Sequence, residues 1–486
     1  MGWRSFQRAL PPNTSSLPGA ALLRRISPSA PWLVTALSLA LFVGTLSQDI
    51  TWRNSSGDGG ELITASMTLG IAHPPGYPLY IIIGRLFGLL PFGTVAARYA
   101  FLSALAGAAA IGLAVRCMLI DRPNDGRKTS LAAPLGLALA VTPLVWGQAI
   151  VAEVYALFLF SVALFIWAVL AKRSPLLVGL TFGLAVAAHL TGLILLPLAL
   201  WKTARSGLGR LTFGALIGLL PFLLLPALAA GSSPLVWGDP DSLGGWWWLV
   251  SASLYRPNVF GLPPSMWLAR LIDWLNPAIL VPLLLWLGLA LLVAWRTRHD
   301  SDKRPLALTI TAILFAIYAF TYRPDDSAVL LLPALMLSAI VAGRGLSDGD
   351  HLLAWLLPLL MVILALVASP WQGDDRLRVN GLASLAQLPP DAIVITPGDA
   401  TVSTLWYLHH VEGVRPDIII VDQNMFQFDW YRERTRRDHS PLWMPMADDL
   451  AQFVNQNLVV RPVCQLSLLD APGSIDCLSA AEASLD

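Results

Sequence analysis

The sequence predicts a mainly α-helical, polytopic membrane protein with about eleven transmembrane helices and a small α/β domain at its C-terminal end. Three observations carry that prediction. The 486 residues are 56% hydrophobic and only 13% charged, with a mean hydropathy of +0.63, against about 25% charged residues in an ordinary soluble domain. Apolar runs recur from residue 31 to residue 368, and Lys and Arg gather in alternate connections between them. After residue 370 the chain turns polar, and two short β-branched runs (392–396 and 417–421) flank a helix-like stretch, 401–411. A net charge of +1 gives no support for nucleic-acid binding. Many of the 19 Trp fall near the ends of apolar runs, where an amphipathic indole is favoured.

Residues 1–30 are a polar segment with Arg4, Arg8, Arg24 and Arg25. The apolar run after them is long and lacks a clear cleavage site, so 31–47 reads as an uncleaved first span with a cytoplasmic N-terminus. Alternation then puts 48–97 outside, with 79–90 lying along the surface or dipping into it. Span two (98–119) leads to cytoplasmic Arg122, Arg127 and Lys128. Span three (131–146) rises to a short outer turn ending at Glu153, and span four (154–171) descends to Lys172 and Arg173. Residues 175–201 are long for one span and short for two, since a span takes about 20 residues. Basic residues flank both ends, including Lys202, Arg205 and Arg210, so the segment reads as a hairpin with His189 near its outer turn.

Spans 211–230, 277–295, 306–320, 328–343 and 352–368 follow. They are separated by a long outer loop (231–276), a basic connection (Arg296 to Arg304), an outer turn (Tyr322 to Asp326) and Arg344. The expected domains are therefore a cytoplasmic segment to residue 30, a transmembrane domain over 31–369 and an extracytoplasmic α/β domain over 370–486. A compact chain of this kind fits a bacterial inner membrane, with the endoplasmic reticulum as the alternative. Cys117 falls in an apolar helix and reads as core. Cys464 and Cys477 lie together in the polar tail and, outside the cytoplasm, suit a disulfide better than a metal site.

This map gathers the acidic residues on one face. Asp58, Glu61, Glu153, Asp239, Asp241, Asp325 and Asp326 all fall outside, with His73 and His189. Ionisable groups beside lipid are costly and usually functional, so they point to a site at the outer boundary. Simpler readings stand beside that one. Asp58 and Glu61, three apart before an apolar run, also match a capping box, and a carboxylate at a helix N-terminus is held ionised. His73-Pro-Pro-Gly-Tyr77 also reads as a rigid turn, His189 as a satisfied core histidine, and Trp246-Trp247-Trp248 as an interfacial anchor.

The stretch Asp58-Gly-Gly-Glu-Leu-Ile-Thr-Ala65, followed by Leu69-Gly-Ile-Ala-His-Pro-Pro-Gly-Tyr-Pro-Leu79, resembles the signature of a family of multi-pass membrane proteins. Its animal member is an endoplasmic-reticulum protein O-mannosyltransferase acting on plexin-type receptors. The likeness continues in Ala152-Glu-Val-Tyr155, Trp237-Gly-Asp-Pro240, Leu254-Tyr-Arg256, Leu388-Pro-Pro-Asp391, Leu405-Trp-Tyr-Leu408, Glu412-Gly-Val-Arg-Pro-Asp417 and Asp429-Trp-Tyr431. That family is placed among the GT-C glycosyltransferases, which carry an acidic motif on the first outer loop and use polyprenyl-phosphate sugars. Two departures stand out: Gly59 where Ser is common, and Pro397-Gly-Asp-Ala-Thr401 in a turn that is often richer in Asn and Asp.

The resemblance implies an inverting transfer of a lipid-linked sugar to an acceptor hydroxyl of a protein or glycan. Asp58 would be the catalytic residue and Glu61 its partner. His73, Tyr77, Glu153, His189, Asp239 and Asp326, whose roles the resemblance does not itself assign, are expected to line the donor and acceptor sites. Arg256 is the candidate for the leaving phosphate, because guanidinium pairs with phosphate through two bonds. No cofactor is expected, and two acids alone do not make a divalent-metal site. Two other classes compete. A secondary transporter predicts internal repeats and binding residues at the midplane, and neither is seen. A non-catalytic component of a glycan-assembly complex would need the carboxylates only as caps.

Overall fold

The computed structural model describes residues 29–121, 131–201, 203–346, 350–371, 375–469 and 473–478. The expected cytoplasmic cations Arg4, Arg8, Arg24, Arg25, Arg122, Arg127, Lys128 and Lys202 lie outside the described residues.

Helices dominate up to residue 368. Among the described residues, five are long and apolar enough to cross a membrane: Val95–Leu119, Pro277–Arg296, Arg304–Thr321, Asp325–Gly345 and His351–Ala368. A sixth span results if Arg205–Gly218 and Leu220–Ala229, bent by 41°, count as one. Further apolar helices are shorter, including Ala30–Thr45, Tyr155–Leu170 and Pro175–Ala188. Helices of that length are thus fewer than the eleven spans expected, several of the apolar runs being shorter or broken. The expected span 131–146 splits into Ala132–Ala140 and Pro143–Gln148, where Pro143 cannot continue the first ladder. The 175–201 segment breaks at His189, whose backbone is extended (φ −163°, ψ 135°).

The two ends of this bundle differ in chemistry. At one end, Asp121 accepts from Arg304 at 2.6 Å and lies 3.5 Å from Lys172. Arg304 also grips Asp302 at 2.8 Å, and Arg344 caps the Val95–Leu119 helix through the carbonyls of Cys117 and Ile120, both at 3.0 Å. The basic connections expected on one side of the membrane therefore meet at one end. The opposite end receives Asp58, Glu61, His73, Glu153 and the C-terminal domain.

That domain carries a four-stranded sheet of β1 (Ile393–Thr396), β2 (Ile419–Asp422), β3 (Val463–Ser467) and β4 (Ser474–Leu478), in the order β2-β1-β3-β4. β1 runs parallel to β2 and β3, while β4 is antiparallel to β3. The Asp399–Trp406 helix between β1 and β2 completes the βαβ unit. Cys464 and Cys477 face each other across β3 and β4 and form a disulfide, and Cys117 is buried in the bundle. Helices Leu243–Val250 and Trp267–Trp274 occupy the expected outer loop 231–276.

The domain is seated on the first outer loop. Trp52 donates its indole N–H to Thr404 at 3.1 Å, and the Glu61 backbone N–H donates to Ser403 Oγ at 2.8 Å. Gly60 is required here, since a Cβ would overlap the Ser403 carbonyl oxygen. Arg378 adds a bidentate pair with Glu412 (3.1 and 2.7 Å) and reaches Asp49 at 3.3 Å.

Candidate active site

The Gly59–Thr68 helix begins directly after Asp58, but the expected capping box does not form. Asp58 makes no side-chain cap hydrogen bond. Glu61 turns away from the helix start and accepts from His73 twice, from the backbone N–H at 2.7 Å and from Nδ1 at 2.9 Å. His73 Nε2 then faces Asp58 Oδ2 at 3.8 Å. The order is Glu61, His73, Asp58, an imidazole held between two carboxylates.

Chain geometry explains how His73 returns to Glu61. The helix ends on Leu69 in the left-handed region (φ 54°), and Gly70 follows where a Cβ would overlap the Leu235 carbonyl oxygen. Ile71 donates to that carbonyl at 3.0 Å, and Trp237 donates to the Ile71 carbonyl at 3.2 Å. Residues 69–73 are thereby strapped to the 231–241 loop. Gly76 and Tyr77, both at positive φ, turn the chain into the Pro78–Gly88 helix.

The electrostatics follow from this order. Burial opposes charge on His73, but Glu61 and Asp58 outweigh it and push its pKa up to about 10. The ring is an imidazolium at neutral pH. Burial raises Asp58 to about 6, with His73 pulling it down and Glu61 pushing it up. This direction runs against the expectation that a helix N-terminus would hold Asp58 low. The carboxylate remains 44% exposed, so solvent or substrate can reach it. Its charge is titratable near neutrality, which suits a general base.

Aromatic rings surround the trio. Tyr77, Tyr255 and Trp237 stand 5.1, 6.1 and 6.3 Å from the His73 ring. His189 packs against Tyr77 at 6.1 Å and Tyr155 at 5.6 Å, with Nδ1 2.7 Å from Thr191 Oγ1. Glu153 is buried, its pKa pushed well up by burial, and one carboxyl oxygen has no hydrogen-bond partner among the described residues. Asp326 lies within electrostatic reach of Asp58. Its turn is clamped by buried Arg270, which donates to the carbonyls of Tyr322, Arg323 and Pro324 at 2.9–3.1 Å and to Ser327.

Two expected residues stand elsewhere. Asp239 lines a separate groove of about 1150 Å³ with Asp241, Trp430 and Arg434. It is raised to about 6 mainly by its hydrogen bond with Asp241. Arg256 is exposed and bonds Ser251 Oγ at 2.6 Å, one residue from the ring of Tyr255. Sequence reasoning missed Trp237, Tyr255, Arg270 and Ser403. The first two sit inside motifs quoted for their charged neighbours; Arg270 and Ser403 carry no local signal.

One ligand atom each from Asp58, Glu61 and His73 lies within 4.8 Å of the others, so the trio has the spacing of a metal site. His73 thus adds a third ligand to the two acids, so the expectation that two acids alone do not make a divalent-metal site does not carry over to this geometry.

Residues 58–206 match the family model described as the protein O-mannosyl-transferase TMEM260 N-terminal domain, and residues 378–457 match TMEM260-associated domain 2. The protein O-mannosyl-transferase TMEM260 of Mus musculus is 29% identical over 84% of this chain, and that of Dictyostelium discoideum 24% identical over 84%. The chain spans 64% and 60% of the length of these relatives. Among solved structures, ArnT from Cupriavidus metallidurans bound to undecaprenyl phosphate aligns with a TM-score of 0.53 at 14% identity, over 89% of this chain and 92% of that one. The Archaeoglobus fulgidus oligosaccharyltransferase aligns with a TM-score of 0.53 at 13% identity, over 90% and 69%. At these identities the likeness is one of fold, the GT-C type. Both domain models match in chain order on that fold, so the chain is similar to the TMEM260 proteins over residues 58–206 and 378–457.

Proposed function

We propose that this protein is an inverting membrane glycosyltransferase that moves a sugar, mannose by the names of its relatives, from a polyprenyl phosphate to a protein Ser or Thr hydroxyl. The observation that carries the reading is the Glu61–His73–Asp58 arrangement, a titratable and accessible carboxylate beside a fixed imidazolium. Asp58 accepts the proton of the acceptor hydroxyl as its oxygen attacks the anomeric carbon. The bond from that carbon to the phosphate oxygen breaks, and its electron pair leaves with the polyprenyl phosphate. Glu61 holds His73, and His73 keeps Asp58 ionised. Arg256, next in the chain to Tyr255, would have to leave Ser251 to meet the phosphate; Tyr77, Tyr255 and Trp237 offer rings to the sugar.

The reaction proceeds without a metal in this reading. The site faces the extracytoplasmic side, with the cationic end of the bundle in the cytoplasm, as the positive-inside rule favours. The test is transfer from a panel of polyprenyl-phosphate sugars by purified protein, with Asp58→Asn beside wild type. Lipid-dependent transfer by wild type and none by a folded Asp58→Asn is expected. Full activity in that variant would remove Asp58 from the mechanism.

A further inference from the structure

The cationic end of the bundle holds a cavity of about 630 Å³ that the transfer reaction does not use. The Tyr155–Leu170 helix leads from the aromatic wall of the candidate site to Val169 and Lys172 on this cavity. Its 16 residues span about 24 Å at 1.5 Å each, so the two sites are well separated.

The cavity has two kinds of lining. Val178, Leu198 and Trp201 are apolar, while Lys172, Arg173, Arg210 and Arg304 outnumber a single lining carboxylate, Asp302. Two of these cations are already paired: Arg304 with Asp302 and Asp121, and Lys172 with Asp121. Arg173 lies over the Trp167 ring at 4.6 Å. Among the described residues, neither Arg173 nor Arg210 has a carboxylate within salt-bridge distance. Close helix packing sets their spacing, because a Cβ on Gly179 would overlap the Leu211 carbonyl oxygen and one on Gly214 that of Leu176. On the helices that carry Leu198 and Arg210, Leu196, Leu200 and Phe213 are exposed at 41%, 46% and 61%.

We propose that this cavity binds one anionic phospholipid, its headgroup phosphate between Arg173 and Arg210 and an acyl chain along the apolar lining. Basic pockets between membrane helices suit such headgroups. A free phosphate would meet the cations but gain nothing from the apolar lining.

The test uses the full-length protein, delipidated in detergent, with thermal unfolding and native mass spectrometry. Phosphatidylglycerol, phosphatidylcholine with the same chains, and inorganic phosphate are compared. Phosphatidylglycerol should stabilise and be retained in preference to the other two. At about fivefold per cation, R173A/R210A should bind it roughly 30-fold more weakly, while R436A at the other end leaves it unchanged. Equal binding of phosphatidylcholine, or unaltered binding by R173A/R210A, overturns the proposal. A full effect from inorganic phosphate alone overturns the lipid assignment. If the double variant does not fold, the single variants R173Q and R210Q replace it, and the comparison of lipids on wild type still decides.

Discussion

Glu61→Gln tests the logic of the trio most directly. Glu61 accepts two hydrogen bonds from His73, at 2.7 and 2.9 Å, and supplies the largest force raising the imidazole pKa. A glutamine keeps the shape but removes the charge, so His73 falls from about 10 toward neutrality. Asp58 then loses the attraction of His73, which outweighs the repulsion it loses from Glu61, and its pKa rises above about 6. Charged hydrogen bonds are worth about 1.5–3 kcal/mol, which corresponds to roughly a 10- to 150-fold loss of transfer at neutral pH. The assay is kcat/KM against pH. Because the base must be ionised, wild-type activity falls as pH drops through about 6, and in Glu61→Gln that fall moves to higher pH. A limb that stays in place or moves lower, in a folded variant, refutes the reasoning.

Gly60→Ala should loosen the C-terminal domain, since its Cβ overlaps the Ser403 carbonyl oxygen, whereas Gly57→Ala, with Ala400 Cβ at 3.7 Å, should be tolerated; limited proteolysis and thermal unfolding of both variants check this. Arg270→Ala strands three carbonyls around Asp326 and should cost about 2–4 kcal/mol of stability, read by thermal unfolding. Chelation with EDTA should leave transfer unchanged. A loss that Mn²⁺ or Mg²⁺ restores would make the Asp58, Glu61 and His73 trio a metal site.

Much of the fold is legible because membrane spans and positive loops are written in composition. One end of the bundle falls where Lys172, Arg304 and Arg344 indicate. The βαβ unit around 392–421 is legible from its β-branched runs. The breaks at 141–142 and His189 are not, because tertiary packing decides where an apolar run stops being one helix. In the site, Asp58, Glu61 and His73 are visible as an unusual density of ionisable groups, but their pairing is not. Three-residue spacing favours a cap, and only the return of the chain through Leu69 and Gly70 hands Glu61 to His73. Asp239 shares a motif with Trp237, and proximity in sequence does not reveal which of the two faces His73.

The hydrogen bond from Glu61 N–H to Ser403 Oγ joins residues 342 positions apart. A ribosome adding about 5–20 residues per second needs roughly 20–70 s to pass from one to the other. During that interval the first outer loop is already made and the helices are entering the bilayer, but the seat for Glu61 does not yet exist. The seating of the first outer loop on the C-terminal domain is therefore a late event in biogenesis, and a chain interrupted before Ser403 would reach the membrane without it.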